Sequence, residues 1–279
     1  MTVEAQKQKA LTLRQLHHGP KILLLPNVWD VVSARIIEEA GYPAVATTSA
    51  GIAFSLGYPD GEKIPTEEMF ARIARIARAV GVPVSADVEA GYGSRPEDAA
   101  ATAKAVIEAG AVGINLEDGS NNPANPLIDL SLQLEKIKAV REAAIKTGVL
   151  LVVNARTDVY LRGVGSTDEE RYRLAVERAL AFRDAGADCV FVPGLFDPAV
   201  IKRLVSEVKC PINILAQAAY PSIPELESIG VARVSLGSGP MRAGLGLLKR
   251  LAEELKTSGT YSQLQGAISG TELNNLMKK

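Results

Sequence analysis

The sequence predicts an α/β protein folded as a (β/α)8 TIM-type barrel, on three observations. Short β-rich runs alternate with longer amphipathic stretches along the whole chain, and several of those stretches close on a glycine just before the next strand. Strand interiors are continuously apolar, as parallel strands covered on both faces must be. The chain has 279 residues, and a barrel of this kind uses about 250.

In order, the first unit pairs the apolar run 22–25 with an amphipathic stretch near 31–40 that closes on Gly41. The second pairs 44–47 with 66–80, closing on Gly81, and the third pairs 82–86 with 96–109, closing on Gly110. The fourth pairs 112–116 with 130–147, and the fifth pairs 150–154 with 167–185, closing on Gly186. The last three pair 189–192 with 198–208, 212–215 with 223–229 (closing on Gly230), and 232–236 with 241–256. Glycine is the expected punctuation because it takes left-handed backbone without steric cost. An open doubly wound sheet is the alternative, disfavoured because no G-x-G-x-x-G follows the first strand. No linker-like composition divides the chain, so residues 1–279 read as one domain. Residues 257–279 form a C-terminal helical extension, where Leu264, Ile268, Leu273 and Leu276 keep apolar spacing and suit packing on a neighbouring subunit.

Composition excludes several functions. The formal charge is −1 with both signs interspersed, so no basic field exists for nucleic acid or an anionic membrane surface. No apolar run reaches the roughly 18 residues of a membrane span, and the polar start of the chain has no signal-peptide core; a cytoplasmic protein is expected. Cys189 and Cys210 sit in apolar runs like buried thiols. The two histidines, His17 and His18, precede the first strand and leave no place for a Ser-His-Asp triad or a His-rich zinc site.

A barrel carries its chemistry at the C-terminal ends of its strands. There the chain places Thr47-Thr48-Ser49-Ala50-Gly51, then Asp60 in a Gly-flanked loop, Asp87 and Glu89, Glu117 and Asp118, and Asn154-Ala155-Arg156-Thr157-Asp158. Asp87 and Glu89 lie two apart, so on extended backbone they share a side, and such hard oxygen ligands suit Mg²⁺ or Mn²⁺. Arg156 is the natural anchor for a carboxylate or phosphonate, with a salt bridge to Glu117 or Asp158 as its structural alternative. Gly237-Ser238-Gly239 resembles a phosphate loop, and the polar segment from Asp118 to Pro126 suits a lid.

Through Thr48-Ser49-Ala50-Gly51, Asp60, Asp87-Val88-Glu89-Ala90-Gly91-Tyr92-Gly93, Glu117-Asp118 and Asn154-Ala155-Arg156-Thr157-Asp158, the chain resembles the isocitrate lyase/phosphoenolpyruvate mutase superfamily. The resemblance implies a barrel, commonly tetrameric with a C-terminal helix exchanged between subunits, that makes or breaks C–C or P–C bonds beside a 2-oxo acid with Mg²⁺. Carried over, Asp87 is the direct Mg²⁺ ligand, Glu89 and Glu117 hold it through water, and Asp60 completes the acidic shell. Ser49 and the amides of Ala50 and Gly51 hold the substrate carboxylate, Thr47 stands where relatives place an aromatic residue, and Arg156 binds the substrate's oxygens. The catalytic set is thus Asp60, Glu117 and Arg156.

The departures concern the leaving-group half. The lyase branch carries K-K-C-G-H on its lid, whereas this segment has no Cys, Lys or His. The phosphonate branch carries E-D-K followed by Asn, whereas here Glu117-Asp118-Gly119 is followed by Asn121, Asn122 and Asn125. Pro193 stands where relatives have Glu or His. A small 2-oxo or 2-hydroxy acid cleaved at a C–C bond through an enolate is the resulting expectation. The alternatives are a P–C bond enzyme and a non-catalytic barrel that binds 2-oxo acids.

Overall fold

The computed structural model describes residues 2–278; residues 1 and 279, the ends of the expected domain, lie outside it. The chain begins with α1 (Val3–Leu16), then β1 (Leu23–Leu25), β2 (Asn27–Val28), α2 (Val31–Glu39), β3 (Val45–Thr47), α3 (Ser49–Ser55), α4 (Thr66–Ala79), β4 (Val84–Asp87) and α5 (Pro96–Glu108). It continues with β5 (Gly113–Glu117), a hairpin of β6 (Gly119–Asn122) and β7 (Asn125–Leu127), α6 (Leu130–Thr147), β8 (Val152–Arg156) and α7 (Asp168–Asp184). Then come β9 (Cys189–Phe191), α8 (Pro198–Val208), β10 (Ile212–Leu215), α9 (Ile223–Ser228), β11 (Arg233–Ser235), α10 (Gly239–Ser258), a 3₁₀ turn at Ser262–Leu264 and α11 (Gly270–Met277).

The parallel strands pair in the order β1-β11-β10-β9-β8-β5-β4-β3-β2. β1 and β2 are two pieces of one strand separated at Pro26, which has no N–H to donate. β1 pairs with β11 and β2 with β3, while the Pro26 carbonyl still accepts from Ala46 N at 3.1 Å, so the sheet curls into a nearly closed barrel. All eight expected β/α units are present. Between strands and helices lies the apolar core, including the fully buried Ile73, Ile76, Leu116, Ile137 and Phe182. Gly41, Gly110, Gly186 and Gly230 have positive φ, as helix-ending glycines should. Gly81 does not follow that pattern: α4 ends in extended backbone at Val80, and Glu38 Oε1 accepts from the amides of Gly81 and Val82.

One region departs from the sequence expectation, and the C-terminal extension follows it in being helical. α1 had no place in that expectation, because the residues that dock it are partly polar. Gln6 Nε2 donates to Ile107 O (2.7 Å) and Ala111 O (3.1 Å), and Lys9 Nζ donates to Val80 O (3.1 Å). Leu13 meets Gly113 so closely that a Cβ there would lie 2.8 Å from Leu13 Cδ2. The helix thereby covers the N-terminal end of the barrel. The C-terminal extension is helical at α11, which packs on α2 of its own chain through the buried Leu276 and a 2.6 Å bond from Arg35 Nη1 to the Leu276 carbonyl.

Candidate active site

Strand ends β3, β4, β5 and β8 bring the predicted residues to one mouth of the barrel. Thr48 caps α3, its Oγ1 accepting from Gly51 N at 3.3 Å, so Thr47-Thr48-Ser49-Ala50-Gly51 is a strand-to-helix junction. Gly51 has no room for a side chain, since a Cβ would lie 2.6 Å from Thr48 Cγ2, and it does not line the central cavity; Ser49 and Ala50 do. Asp87 ends β4, and its carboxylate is held on three sides. Oδ2 accepts from Ser49 N (2.9 Å) and Ser49 Oγ (2.8 Å), and Oδ1 accepts from Asn115 Nδ2 (2.8 Å). Thr47 Oγ1 accepts from Asp87 N at 2.9 Å. Ser49, assigned to the substrate in the carry-over, here positions Asp87.

The premise that Asp87 and Glu89 share a side of extended backbone is corrected: β4 stops at Asp87, and Glu89 has φ +53°. The turn, rather than the pleat, brings the Glu89 carboxylate into the acidic cluster. Its Oε2 accepts from Glu62 N at 2.6 Å, and its buried Oε1 has no partner among the described residues. Burial, followed by the charges of Asp60 and Asp87, pushes Glu89 up to about 8. Burial and Asp87 likewise raise Asp60. Glu117 is raised well above the usual carboxylate range by burial, against the pull of Arg156.

Both alternatives foreseen for Arg156 as an ion-pair partner are realised together. Nη1 meets Glu117 Oε2 at 2.7 Å, while Nε and Nη2 clasp Asp158 at 2.6 and 3.1 Å. Burial alone would lower its pKa, but Glu117 and Asp158 raise it, and the ring of Phe191 lies 5.8 Å from the guanidinium carbon. Asp118 turns away from the cavity. It is fully buried, pairs with Arg178 Nη1 at 3.0 Å, accepts from Asp158 N at 2.8 Å, and is pushed by burial to about 6.

The segment read as a polar lid is largely the antiparallel β6–β7 ribbon, whose Asn121 Nδ2 reaches Gly61 O at 3.3 Å. The Gly237-Ser238-Gly239 loop is not an open phosphate cradle, because Asn27 Oδ1 already accepts from Leu236 N and Gly237 N. Two chambers result. The inner, of about 150 Å³, runs into the barrel past Asp87, Asn115, Asn154 and Arg233. The outer, of about 260 Å³, lies under the ribbon beside Glu89, Glu117 and Asp158. Ser49, Asp60, Arg156 and Leu161 border both. Asn154 was named only as the start of a strand-end run, and Asn115 and Arg233 were not picked out by strand-end logic. The available signal was a polar residue inside an otherwise apolar strand, where an inward side chain needs a polar partner.

A family model described as phosphoenolpyruvate phosphomutase matches residues 13–256. An uncharacterized protein of Mycobacterium tuberculosis is 37% identical over 265 residues, covering 92% of this chain and 96% of that protein. The 2,3-dimethylmalate lyase of Eubacterium barkeri is 31% identical over 280 residues, covering 96% and 93%. Among solved structures, a lyase/mutase candidate from Burkholderia cenocepacia J2315 superposes with a TM-score of 0.92 at 36% identity, covering 99% of this chain and 98% of that one. A phosphonopyruvate hydrolase solved with oxalate and Mg²⁺ shares the fold, with a TM-score of 0.83 at 22% identity over 97% and 95% of the two chains.

Proposed function

The chain belongs to the phosphoenolpyruvate mutase/isocitrate lyase superfamily, and on that premise we propose that it is a Mg²⁺-dependent lyase or decarboxylase. It breaks a C–C bond beside the carboxylate of a small 2-oxo or 2-hydroxy acid. The observation that carries this reading is Asp87: a strand-end carboxylate fixed by three donors, lining the same cavity as Arg156.

The donor set fits Mg²⁺, with Mn²⁺ as a substitute. Glu89 keeps a buried oxygen unpartnered among the described residues, and burial followed by the charges of Asp60 and Asp87 raises its proton affinity, the electrostatic setting a divalent cation relieves. Among the described residues, no three Asp, Glu, His or Cys side chains form a ready metal cluster. Mg²⁺ keeps several waters and takes one or two carboxylates. Asp87 would bind it directly, Glu89 and Glu117 would reach it through water, and Asp60 would complete the shell. Bound there, the ion would offset negative charge developing on the oxygens of the acid.

The protein's own groups do the rest. Arg156, locked by Glu117 and Asp158, presents a fixed cation to those oxygens without reorganising as charge develops. Ser49 and Asn115 hold Asp87 in place, and Ala50 lines the cavity where the acid's carboxylate would sit. With a 2-oxo acid the pair of the broken bond stays on the carbon next to the 2-oxo group as an enolate while the other fragment leaves; with a 2-hydroxy acid the hydroxyl gives up its proton to a base and becomes the 2-oxo product, and the pair stays beside the carboxylate of the other fragment. The fixed charge of Arg156 offsets that developing charge better than reorganising water does. The protein is further read as a cytoplasmic homo-oligomer, a tetramer by family resemblance; Leu245, Leu248 and Leu255 on α10 give it an exposed apolar face.

The test is a turnover screen with and without Mg²⁺ on oxaloacetate, isocitrate, methylisocitrate and phosphonopyruvate. Release of glyoxylate, or of pyruvate with CO₂ or succinate, supports the proposal. Phosphate from phosphonopyruvate alone transfers the protein to P–C chemistry, and silence on all four refutes turnover of these acids.

A further inference from the structure

The inner cavity contains a charge that the catalytic reading leaves unused. Arg233 opens β11 and is only 2% exposed, and it lines the same cavity as Ser49, Asp87 and Arg156. Its Nε and Nη1 are sealed from bulk solvent and donate to no group among the described residues. Burial pushes its pKa down to about 10, so it remains a cation at neutral pH. Asp87, on the same cavity, offsets part of that charge, but a buried cation whose donors lack a bonded partner is among the most costly groups a core can hold.

Its surroundings are built for a polar guest. Ser235, two residues along the strand, points the same way and bonds to Asn213 at 3.1 Å. Ser85 and Asn154 line the cavity as well, and Asn154 Oδ1 is a further buried atom without a partner among the described residues. From below, α1 offers no anion. His17 Nδ1 donates to Leu13 O at 2.8 Å, which fixes the neutral tautomer with hydrogen on Nδ1, and burial and Arg233 hold the ring's pKa near 4. Asp188 is engaged by Arg14 and Arg141. The cavity's 150 Å³ corresponds to about five waters of liquid, the scale of a small acid.

We propose that Arg233 forms a second anion subsite, for a carboxylate, deep in the barrel lumen. The acid held at Arg156 extends inward, and its remote carboxylate meets the Arg233 fork. This inference rests on the reading of the upper site as a 2-oxo or 2-hydroxy acid site. A separate small carboxylate bound beside the acid would meet the same chemistry.

The experiment measures binding of malate and lactate, which differ by one carboxylate, to the full-length protein with Mg²⁺, using oxalate as the control for the upper end. The wild type is expected to prefer malate by about tenfold or more, the worth of a charge-assisted bond. Arg233→Met, close in volume and apolar, should melt at the same or a higher temperature, lose the preference, and keep its oxalate affinity. Arg233→Lys should restore part of the preference, and it decides the matter if the methionine variant does not fold. Lactate binding tightened by formate in the wild type, but not in Arg233→Met, would keep the subsite and assign it to a separate anion. Neither a malate preference nor a formate effect in the wild type, or either one persisting in Arg233→Met, overturns the proposal. If the wild type fails to bind oxalate, the reading of the upper site falls, and formate protection against thermal unfolding, compared between wild type and Arg233→Met, still decides Arg233.

Discussion

Replacing Arg156 by lysine separates its two roles, because the guanidinium makes three charge-assisted bonds and an ammonium on a flexible stem cannot reproduce them. The bonds lost run to two different buried carboxylates, Glu117 at 2.7 Å and Asp158 at 2.6 and 3.1 Å. A lysine can satisfy only one of these partners well. Each bond to a charged group contributes about 1.5–3 kcal/mol, and leaving one member of a buried pair uncompensated costs about 3–5 kcal/mol. Partial recovery by the lysine brings the expected loss to about 3 kcal/mol, or about 5 °C in melting temperature for a chain of this size. Urea unfolding should show a lower midpoint at unchanged slope. Oxalate affinity should also fall by at least about tenfold, the value of one lost charge-assisted contact. A stability loss under about 1 kcal/mol would refute the buried clamp, placing Arg156 in the class of weak exposed pairs. Unchanged oxalate binding beside a large stability loss would leave Arg156 a purely structural residue.

Three further outcomes are expected. Mg²⁺ at 100 times its dissociation constant should stabilise the wild type by about 2.7 kcal/mol, and Asp87→Ala should abolish that shift in thermal melts. The same variant leaves the Ser49 and Asn115 donors without their acceptor, so its metal-free stability should also drop, by about 1–3 kcal/mol. His17 sits near pKa 4 in the folded chain, chiefly through burial, against 6.5 when exposed. Below 6.5 the unfolded chain takes up a proton that the folded one refuses, so stability present above 6.5 is lost as pH falls toward 4. The loss amounts to at most about 3 kcal/mol, and His17→Gln should flatten that slope in urea titrations from pH 7 to 4. Gly119→Ala would put a Cβ 2.6 Å from Asp158 Oδ2 and 2.7 Å from Arg162 Nη2. It should cost about 1–3 kcal/mol and weaken oxalate binding by displacing the ribbon; wild-type affinity would show that the ribbon does not help shape the site.

Local chemistry made much of this protein legible in its sequence. Each barrel strand writes its apolar run, helices such as α4 and α8 their amphipathic period, and four of the five helix-ending glycines their left-handed turn, because these signals depend only on near neighbours. Strand-end position also singled out Asp87, Glu117 and Arg156, since a barrel delivers every strand end to one mouth, whereas Asp60, in the loop beyond α3, drew its role from the family resemblance. Contacts between distant segments were beyond such reading. The polar docking of α1, the left-handed backbone at Glu89, the Ser49–Asp87 bond and the outward turn of Asp118 toward Arg178 all depend on partners far along the chain. Arg233 is the clearest case. In sequence it is one arginine inside the last strand run, and only closure of the sheet through β1 and β10 turns it inward, where burial and the lack of a bonded partner among the described residues give its charge a meaning.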